Sequence, residues 1–226
     1  MNKILRFRFH PIVLAILSVC AILLALLPLY RLTMYAIPRY DDYSYGIRFW
    51  QNLRYGFGLR AMWDAGFNTA LESHYSWQGT YSSIFMMALM PGALGFEYYL
   101  LGPVLLISSM TFCTFLMVCV LTKYFLKAAP ADRILLSSIV TLALVELIHT
   151  AQQGFYWYNS GVHYTFMHSM FFLLISVCVA LSFSKNGIVS VLLCLAGMIL
   201  SFICAGANYV TCLQGLLFLV SACVYT

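Results

Sequence analysis

Six long runs of apolar residues dominate the chain, and polar residues fall mainly in the segments between them. Each run lies within the roughly 17–25 residues that an α-helix needs to cross the hydrocarbon core of a bilayer. The pattern predicts an all-α fold, namely a polytopic bundle of transmembrane helices that forms a single membrane domain over residues 1–226. The predicted spans are 11–30, 99–122, 133–150, 163–183, 187–205 and 209–226.

The longest polar stretch lies between the first two predicted spans, at residues 31–98. It mixes arginines and acids with many tyrosines, tryptophans and phenylalanines, which a solvated linker would not need. Such a mixture is typical of short amphipathic helices that lie at the membrane face. Its last part, residues 82–96, is apolar but is interrupted by Pro91, Gly92 and Gly95, so we expect an interfacial or re-entrant segment there.

Composition narrows the class of protein. Hydrophobic residues make up 63% of the chain and charged residues only 8%, whereas soluble domains carry about 25% charged residues. A soluble secreted domain, a coiled coil and a disordered tail are therefore excluded. The net charge is +5, but no basic run with interleaved aromatic residues occurs, so nucleic acid is not an expected partner. The expected surroundings are membrane lipid.

Basic residues predict how the bundle is oriented. Cations outnumber the single acid Asp132 on one side of the predicted bundle, and they are Lys3, Arg6, Arg8, Lys123, Lys127, Arg133 and Lys185. Because cytoplasmic loops are enriched in Lys and Arg, the N-terminus is predicted to be cytoplasmic and the loop 31–98 to lie on the outer face. No small-residue cleavage site closes the first apolar run, which predicts a retained helix. The last run reaches Thr226 without a polar tail, so we expect the N-terminal part of a longer protein.

Two adjacent carboxylates, Asp41 and Asp42, follow the first predicted span. A carboxylate near the low-dielectric boundary is costly unless it is paired or bound to a metal, and adjacent like charges raise each other's proton affinity. The pair therefore fits a general base that takes a proton from a hydroxyl. It equally fits ligation of Mg²⁺ or another divalent cation. A helix cap or an ion pair with Arg39 is the structural alternative.

Two further motifs combine aromatic rings with hydrogen-bonding groups. Amides and hydroxyls are suited to bind sugar hydroxyls, while an indole face is suited to stack on a sugar ring. In the structural alternative the same aromatic residues anchor helices at the membrane interface, and Asn159 with Gly161 fits a turn. The candidate substrate-binding residues are Trp77, Gln78 and Tyr81 in the first motif, and Trp157, Asn159 and His163 in the second.

Arg39 and Arg48 are candidates for binding a phosphate group. A planar guanidinium binds phosphate oxygens in a bidentate manner. Both residues lie in the same predicted outer loop as the acid pair. Pairing with local carboxylates or lipid headgroups is the alternative.

The order of these motifs resembles that of the GT-C class of membrane glycosyltransferases. A basic tail and a first helix are followed by Arg-Tyr-Asp-Asp-Tyr at 39–43 and Ser-Trp-Gln-Gly-Thr-Tyr at 76–81. The segment 155–165 and the Gly-Ala-Asn-Tyr turn at 206–209 are similar to features of uncharacterised bacterial families related to glucosyltransferases that decorate surface polysaccharides. Members of the class are longer than this chain.

The resemblance implies a bacterial plasma-membrane enzyme that takes a sugar from a polyprenyl-phosphate donor. The acceptor would be a surface polysaccharide or lipid at the outer face. In that class an acid of the first outer loop is the base or metal ligand, which falls here on Asp41 or Asp42, and Arg39 and Arg48 would face the donor phosphate. Two other functions stay open: a membrane scaffold subunit without chemistry, and a transporter or flippase of a lipid-linked solute.

Overall fold

The computed structural model describes residues 10–56 and 58–225. Within these ranges all regular structure is helical and no strand occurs, as the apolar pattern predicts. The basic residues Lys3, Arg6 and Arg8, on which part of the predicted orientation depends, lie outside the described residues. The helices are α1 (Pro11–Leu32), α2 (Asp42–Leu53), α3 (Leu59–Ser76), α4 (Tyr81–Ala88), α5 (Leu101–Tyr124), α6 (Pro130–Glu146), α7 (Tyr158–Ser182), α8 (Gly187–Ala205) and α9 (Tyr209–Tyr225).

Four of the described helices are long and apolar enough to cross a membrane. They are α1, which a 3₁₀ turn extends to Tyr35, α5 with the 3₁₀ turn that precedes it from Phe96, α7 and α8. These helices lie over four of the predicted spans. Helices α6 and α9 cover most of the other two and are shorter, with 17 residues each.

Helix α6 ends before the position predicted for it. It begins at Pro130, because proline lacks an N–H and suits the first turn of a helix. It ends at Glu146 rather than at residue 150. Thr150 already belongs to the next turn, since its carbonyl oxygen accepts a hydrogen bond from the N–H of Gly154 at 3.0 Å. Glu146 therefore lies exposed at a helix end and not inside a span.

The segment at Asn159 and Gly161, which the structural alternative treats as a turn, is helical. The carbonyl oxygen of Trp157 accepts a hydrogen bond from the Gly161 N–H at 2.8 Å, and α7 continues through a π-helical turn at Val162–Phe166. Gly161 is buried against Leu106 of α5, where a larger side chain would overlap. Long-range packing thus overrides the local turn preference of Asn and Gly, and α7 begins five residues earlier than residue 163.

Small polar side chains allow the long helices to approach one another closely. Helix α6 packs against both α1 and α5. It carries the buried residues Ser137, Ser138 and Thr141, and small residues at helix contacts bring backbones together inside membranes. At one end of the bundle, hydrogen bonds also join the helices.

Hydrogen bonds gather several helix ends at one end of the bundle. The Tyr156 hydroxyl donates to the Leu29 carbonyl in the last turn of α1 at 2.8 Å. The Ser82 backbone N–H in α4 donates to the Gly206 carbonyl, just after α8, at 2.9 Å. The hydroxyl of Tyr99, just before α5, accepts the first N–H of α7 at 3.0 Å. The ends of α1 and α8 and the starts of α5 and α7 therefore meet beside α4.

We expect Gly161→Ala to destabilise the bundle. A Cβ atom there would overlap the Leu106 side chain and lie 2.9 Å from the backbone oxygen of Gly154, which cannot turn aside as a side chain can. Such overpacking costs about 1–3 kcal/mol, so thermal denaturation of the purified protein in detergent should occur at a lower temperature. Gly187→Ala is the matched control, because nothing lies within 4 Å of its added Cβ. Equal shifts in the two variants would contradict this packing.

Candidate functional site

The carboxylate of Asp42 is completely buried at the start of α2. Its Oδ2 atom accepts hydrogen bonds from the backbone N–H of Arg39 at 3.0 Å and from the hydroxyl of Tyr99 at 2.6 Å. Its Oδ1 atom accepts the backbone N–H of Asn159 at 3.0 Å. Donors from three separate segments of the chain therefore occupy both carboxylate oxygens.

These bonds give Asp42 a structural role, and the catalytic and metal-binding roles assigned to it from the sequence stay predictions. Burial raises the pKa of Asp42 above the usual value of an aspartate, and the hydrogen bonds from Tyr99, Arg39 and Asn159 act in the opposite direction. With both oxygens engaged and no exposed surface, Asp42 has no lone pair directed at a substrate. It instead joins the start of α2 to the starts of α5 and α7.

Asp41, the neighbouring acid, is only partly buried. Its Oδ1 atom accepts the indole N–H of Trp157 at 3.1 Å. The rings of Trp157 and Tyr40 lie with their centroids 5.0 Å apart, which fixes the indole beside the carboxylate. Asp41 lines a cavity of about 340 Å³. Of the two acids predicted to act on a substrate, Asp41 is therefore the one that faces an open space.

The cavity brings together side chains that are far apart in the sequence. They come from the loop before α2, from α2 itself, from the segment after α3, from α4, from the chain that leads into α7 and from the first turns of α7. The predicted site residues that line it are Asp41, Trp77, Gln78, Trp157, Asn159 and His163. Two indoles, two amides, an imidazole and a carboxylate thus surround one space.

Sequence reasoning missed several other residues of the cavity wall. They are Tyr45, Met87, Gln153, Ser160 and Tyr164. Ser160 and Tyr164 lie in the same segment 155–165 as Asn159, and Gln153 lies two residues before that segment, so the motif marked the right region. Tyr45 lies about one helical turn after Asp41, and helical periodicity was the available signal. Met87 carried none.

Asn159 is an unusual member of the wall because its amide has no partner. The residue is 1% exposed, and neither its Oδ1 nor its Nδ2 atom has a hydrogen bond within the described chain. Buried polar atoms are nearly always hydrogen-bonded, and an exception calls for an explanation such as an unfilled ligand site. The Asn159 backbone is held in place separately, by its bond to Asp42.

His163 lies on one of two π-helical turns beside the cavity, Gln152–Tyr156 and Val162–Phe166. Single π-helical turns are frequent at functional sites. The Nδ1 atom of His163 lies 3.0 Å from the Ser83 hydroxyl, which itself lies 3.1 Å from the Thr80 carbonyl. If the Ser83 hydroxyl donates to that carbonyl, it accepts from Nδ1–H, and Nε2 of the neutral ring is a hydrogen-bond acceptor.

Besides Asp42, three predicted site residues do not line the cavity. The Arg39 side chain is exposed to solvent. Arg48 forms an ion pair with Glu72 of α3, as its structural alternative predicted. The Tyr81 hydroxyl donates to the Phe202 carbonyl at 2.7 Å and thereby joins α4 to α8. Of these three residues, only Arg39 keeps a charged group that is free to meet a ligand from outside.

The residues present are a poor fit for a metal ion held by the protein. Within residues 10–56 and 58–225, no three His, Cys, Asp or Glu side chains form a group that could hold one. Because the oxygens of Asp42 are engaged, Asp41 offers the single free carboxylate of the predicted pair.

Comparisons with known proteins assign no family. No family model matches the chain, and no curated protein or solved structure matches it either. What the protein does must therefore be inferred from the cavity and its side chains.

We expect Asp42→Asn to destabilise the protein more than Asp41→Asn. An asparagine keeps a single carbonyl oxygen, so its NH₂ group at position 42 would face a donor that has lost its acceptor. A buried unpaired donor costs about 1–3 kcal/mol, whereas Asp41 accepts one bond from Trp157 at a partly exposed position. Thermal denaturation of the two purified variants measures the order. A larger shift for Asp41→Asn would show that Asp42 does not hold the segments together.

Proposed function

We propose that this protein is an integral-membrane glycosyltransferase of the GT-C type. It transfers a sugar from a polyprenyl-phosphate donor to a hydroxyl group of a cell-surface glycan or lipid at the outer face of the bacterial plasma membrane. The observation that carries the proposal is the Asp41 carboxylate in the wall of a cavity that also presents indoles and amides. A free acid beside groups suited to bind a sugar is the arrangement that such a transfer needs.

The position of the cavity supports a reaction at the membrane surface. The cavity lies where α1 and α8 end and where α5 and α7 begin. The opposite ends of these helices carry Lys123, Lys127 and Lys185. Because cations favour the cytoplasmic side, the cavity faces outward and the N-terminus lies in the cytoplasm. In this arrangement α6 and α9 also cross the membrane, which makes six spans.

Asp41 acts as the general base in the proposed reaction. It takes the proton from the acceptor hydroxyl, whose oxygen forms a bond to the anomeric carbon of the donor sugar. The bond between that carbon and the phosphate oxygen breaks, and polyprenyl phosphate leaves with the electron pair. The leaving group is already an anion, so no strong acid has to protonate it. Trp157 orients the Asp41 carboxylate through the indole N–H.

The donor phosphate fits outside the cavity rather than inside it. No Lys or Arg is among the residues that line the cavity in the described chain. The exposed Arg39 lies two residues before Asp41, and a guanidinium binds phosphate oxygens in a bidentate manner. Arg39 therefore holds the phosphate at the rim while the sugar enters, and the Arg48–Glu72 ion pair takes no part.

Asp41→Asn should lower the transfer rate by about 100-fold or more, because general-base catalysis contributes factors of about 10²–10⁴. The amide keeps an oxygen for the Trp157 N–H, so the site geometry is retained. Initial rates are measured in proteoliposomes with polyprenyl-phosphate-linked hexoses, and surface glycans are analysed in cells at equal membrane abundance of the variants. Asp64→Asn is the matched control, since this acid of α3 is half-exposed and lies 3.8 Å from Arg60.

Each competing function gives a different result in the same experiment. A scaffold subunit would keep its cellular function in Asp41→Asn at equal abundance. A transporter or flippase would move the lipid-linked sugar across the bilayer without forming a new glycosidic bond. An unchanged glycan in Asp41→Asn cells, together with a changed glycan after gene deletion, would reject the proposed role of Asp41.

The proposed orientation predicts which engineered cysteines an external reagent reaches. Asn68→Cys in α3 should react with a membrane-impermeant maleimide added to intact cells, whereas Ala128→Cys in the α5–α6 connection should react only after permeabilisation. The unmodified chain measures the background from the native cysteines, of which Cys20, Cys194 and Cys223 are exposed. Labelling of Ala128→Cys but not of Asn68→Cys in intact cells would invert the orientation.

A further inference from the structure

We infer that α2 rests on the membrane leaflet beside the cavity, and that an exposed stripe of its side chains contacts phospholipid there. The stripe consists of Tyr43, Ile47, Trp50 and Arg54. The inference goes beyond the proposed function and does not rest on it, because a transferase, a scaffold subunit and a transporter would all make this contact.

The spacing of the stripe places its members on one face of α2. They follow one another at intervals of four, three and four residues, which matches the turn of an α-helix. Tyr43, Ile47 and Trp50 are 60%, 46% and 42% exposed. Arg54 follows the last residue of α2 in an α-helical conformation and so extends the row by one turn. The described chain therefore leaves a row of large apolar side chains uncovered.

The other faces of α2 contact protein or carry polar groups. On one side of the stripe Gly46 and Phe49 are buried, and a Cβ atom added to Gly46 would lie 2.8 Å from the Cε atom of Met90. On the other side Ser44 and Gln51 are exposed. An amphipathic helix turns its apolar arc away from water, but the protein covers only the part of this arc that contains Gly46 and Phe49. The stripe is the remaining part.

The start of α2 lies level with the ends of membrane-spanning helices. Asp42, its first residue, accepts a hydrogen bond from the Tyr99 hydroxyl, at the beginning of the span that continues through α5. It also accepts the backbone N–H of Asn159, in the first turn of the span α7. Because a bilayer around these spans has its surface at their ends, lipid lies within reach of the stripe from Tyr43 onward. Tyrosine and tryptophan favour this interface.

The charge of the stripe fits a phospholipid better than a second copy of the chain. The guanidinium carbon of Arg54 lies 3.8 Å from the centre of the Trp50 ring, in a cation–π contact. Within the described chain no acid lies within ion-pair distance of Arg54, and the stripe itself contains no acid. A long cationic side chain covers apolar surface with its stem while its head meets a lipid phosphate. A second copy would present the same cation and no acid to pair with it.

Tryptophan fluorescence in lipid nanodiscs tests the contact by moving one indole around the helix. The unaltered chain is compared with Trp50→Phe and with a double variant that combines Trp50→Phe with Gln51→Trp. Position 51 is the matched control, since it is also exposed and lies about 100° further round the same helix. Subtracting the emission of Trp50→Phe isolates the indole at position 50 in the unaltered chain and the indole at position 51 in the double variant. Phosphatidylcholine brominated in the upper part of its acyl chains quenches an indole in lipid, and iodide quenches an indole in water.

We expect brominated lipid to quench the indole at position 50 at least about twofold more strongly than the indole at position 51, because the apolar face of an interfacial helix enters the acyl boundary by about 5–10 Å. Iodide should show the opposite order. Equal quenching by lipid at the two positions, or stronger quenching by iodide at position 50, would overturn the inference. Protection of Trp50 from both quenchers would also overturn it, because a second copy or another protein would then cover the stripe.

A second position on the stripe gives an independent check. Ile47→Trp in the Trp50→Phe background places an indole one turn earlier on the same face. This variant should regain the quenching by brominated lipid that Trp50→Phe loses. Quenching by iodide alone at position 47 would contradict a lipid contact along the stripe.

Discussion

The arrangement of this end of the bundle depends on one buried carboxylate. Asp42 has no exposed surface, and donors from the loop before α2, from the start of α5 and from the start of α7 meet on its two oxygens. An acid buried without such partners would be very costly, so the three segments are held together by the need to satisfy it. The walls of the cavity are consequently positioned by a group that does not itself line the cavity.

Chain continuity then explains the position of Asp41. Because Asp42 is fixed inward at the start of α2, the preceding residue projects from a different side of the chain and reaches the cavity, where Trp157 orients it. Two adjacent acids thus have different environments and different roles. One is desolvated and bonded to the backbone, and the other is partly exposed with an oxygen directed at open space. The buried acid thus positions the acid that is proposed as the base, and no additional element is needed.

The sequence predicted the features that depend on local patterns. The apolar runs located the four long helices, and the aromatic and amide motifs marked the segments that hold Trp77, Gln78, Trp157, Asn159 and His163. The sequence did not predict features that depend on contacts between residues far apart in the chain. Asp41 and Asp42 are identical residues side by side, so the sequence does not indicate which of them is buried. The residue that decides is Tyr99, which lies 57 positions after Asp42. The helical start of α7 likewise depends on Leu106 and Asp42, and the separation of Arg48 from the cavity depends on Glu72.

Asn159 combines a backbone bond that holds the fold with a side chain that has no partner within the described chain. Its backbone N–H contributes to the structural bond with Asp42, while its side chain leaves two buried polar atoms unsatisfied. A chain optimised for folding alone would place an apolar residue of the same size there, because the backbone bond would survive and the cost of the unpartnered amide would vanish. Unpartnered buried hydroxyls also occur away from the cavity, at Thr114, Ser137 and Ser138, so such atoms are not confined to the candidate site.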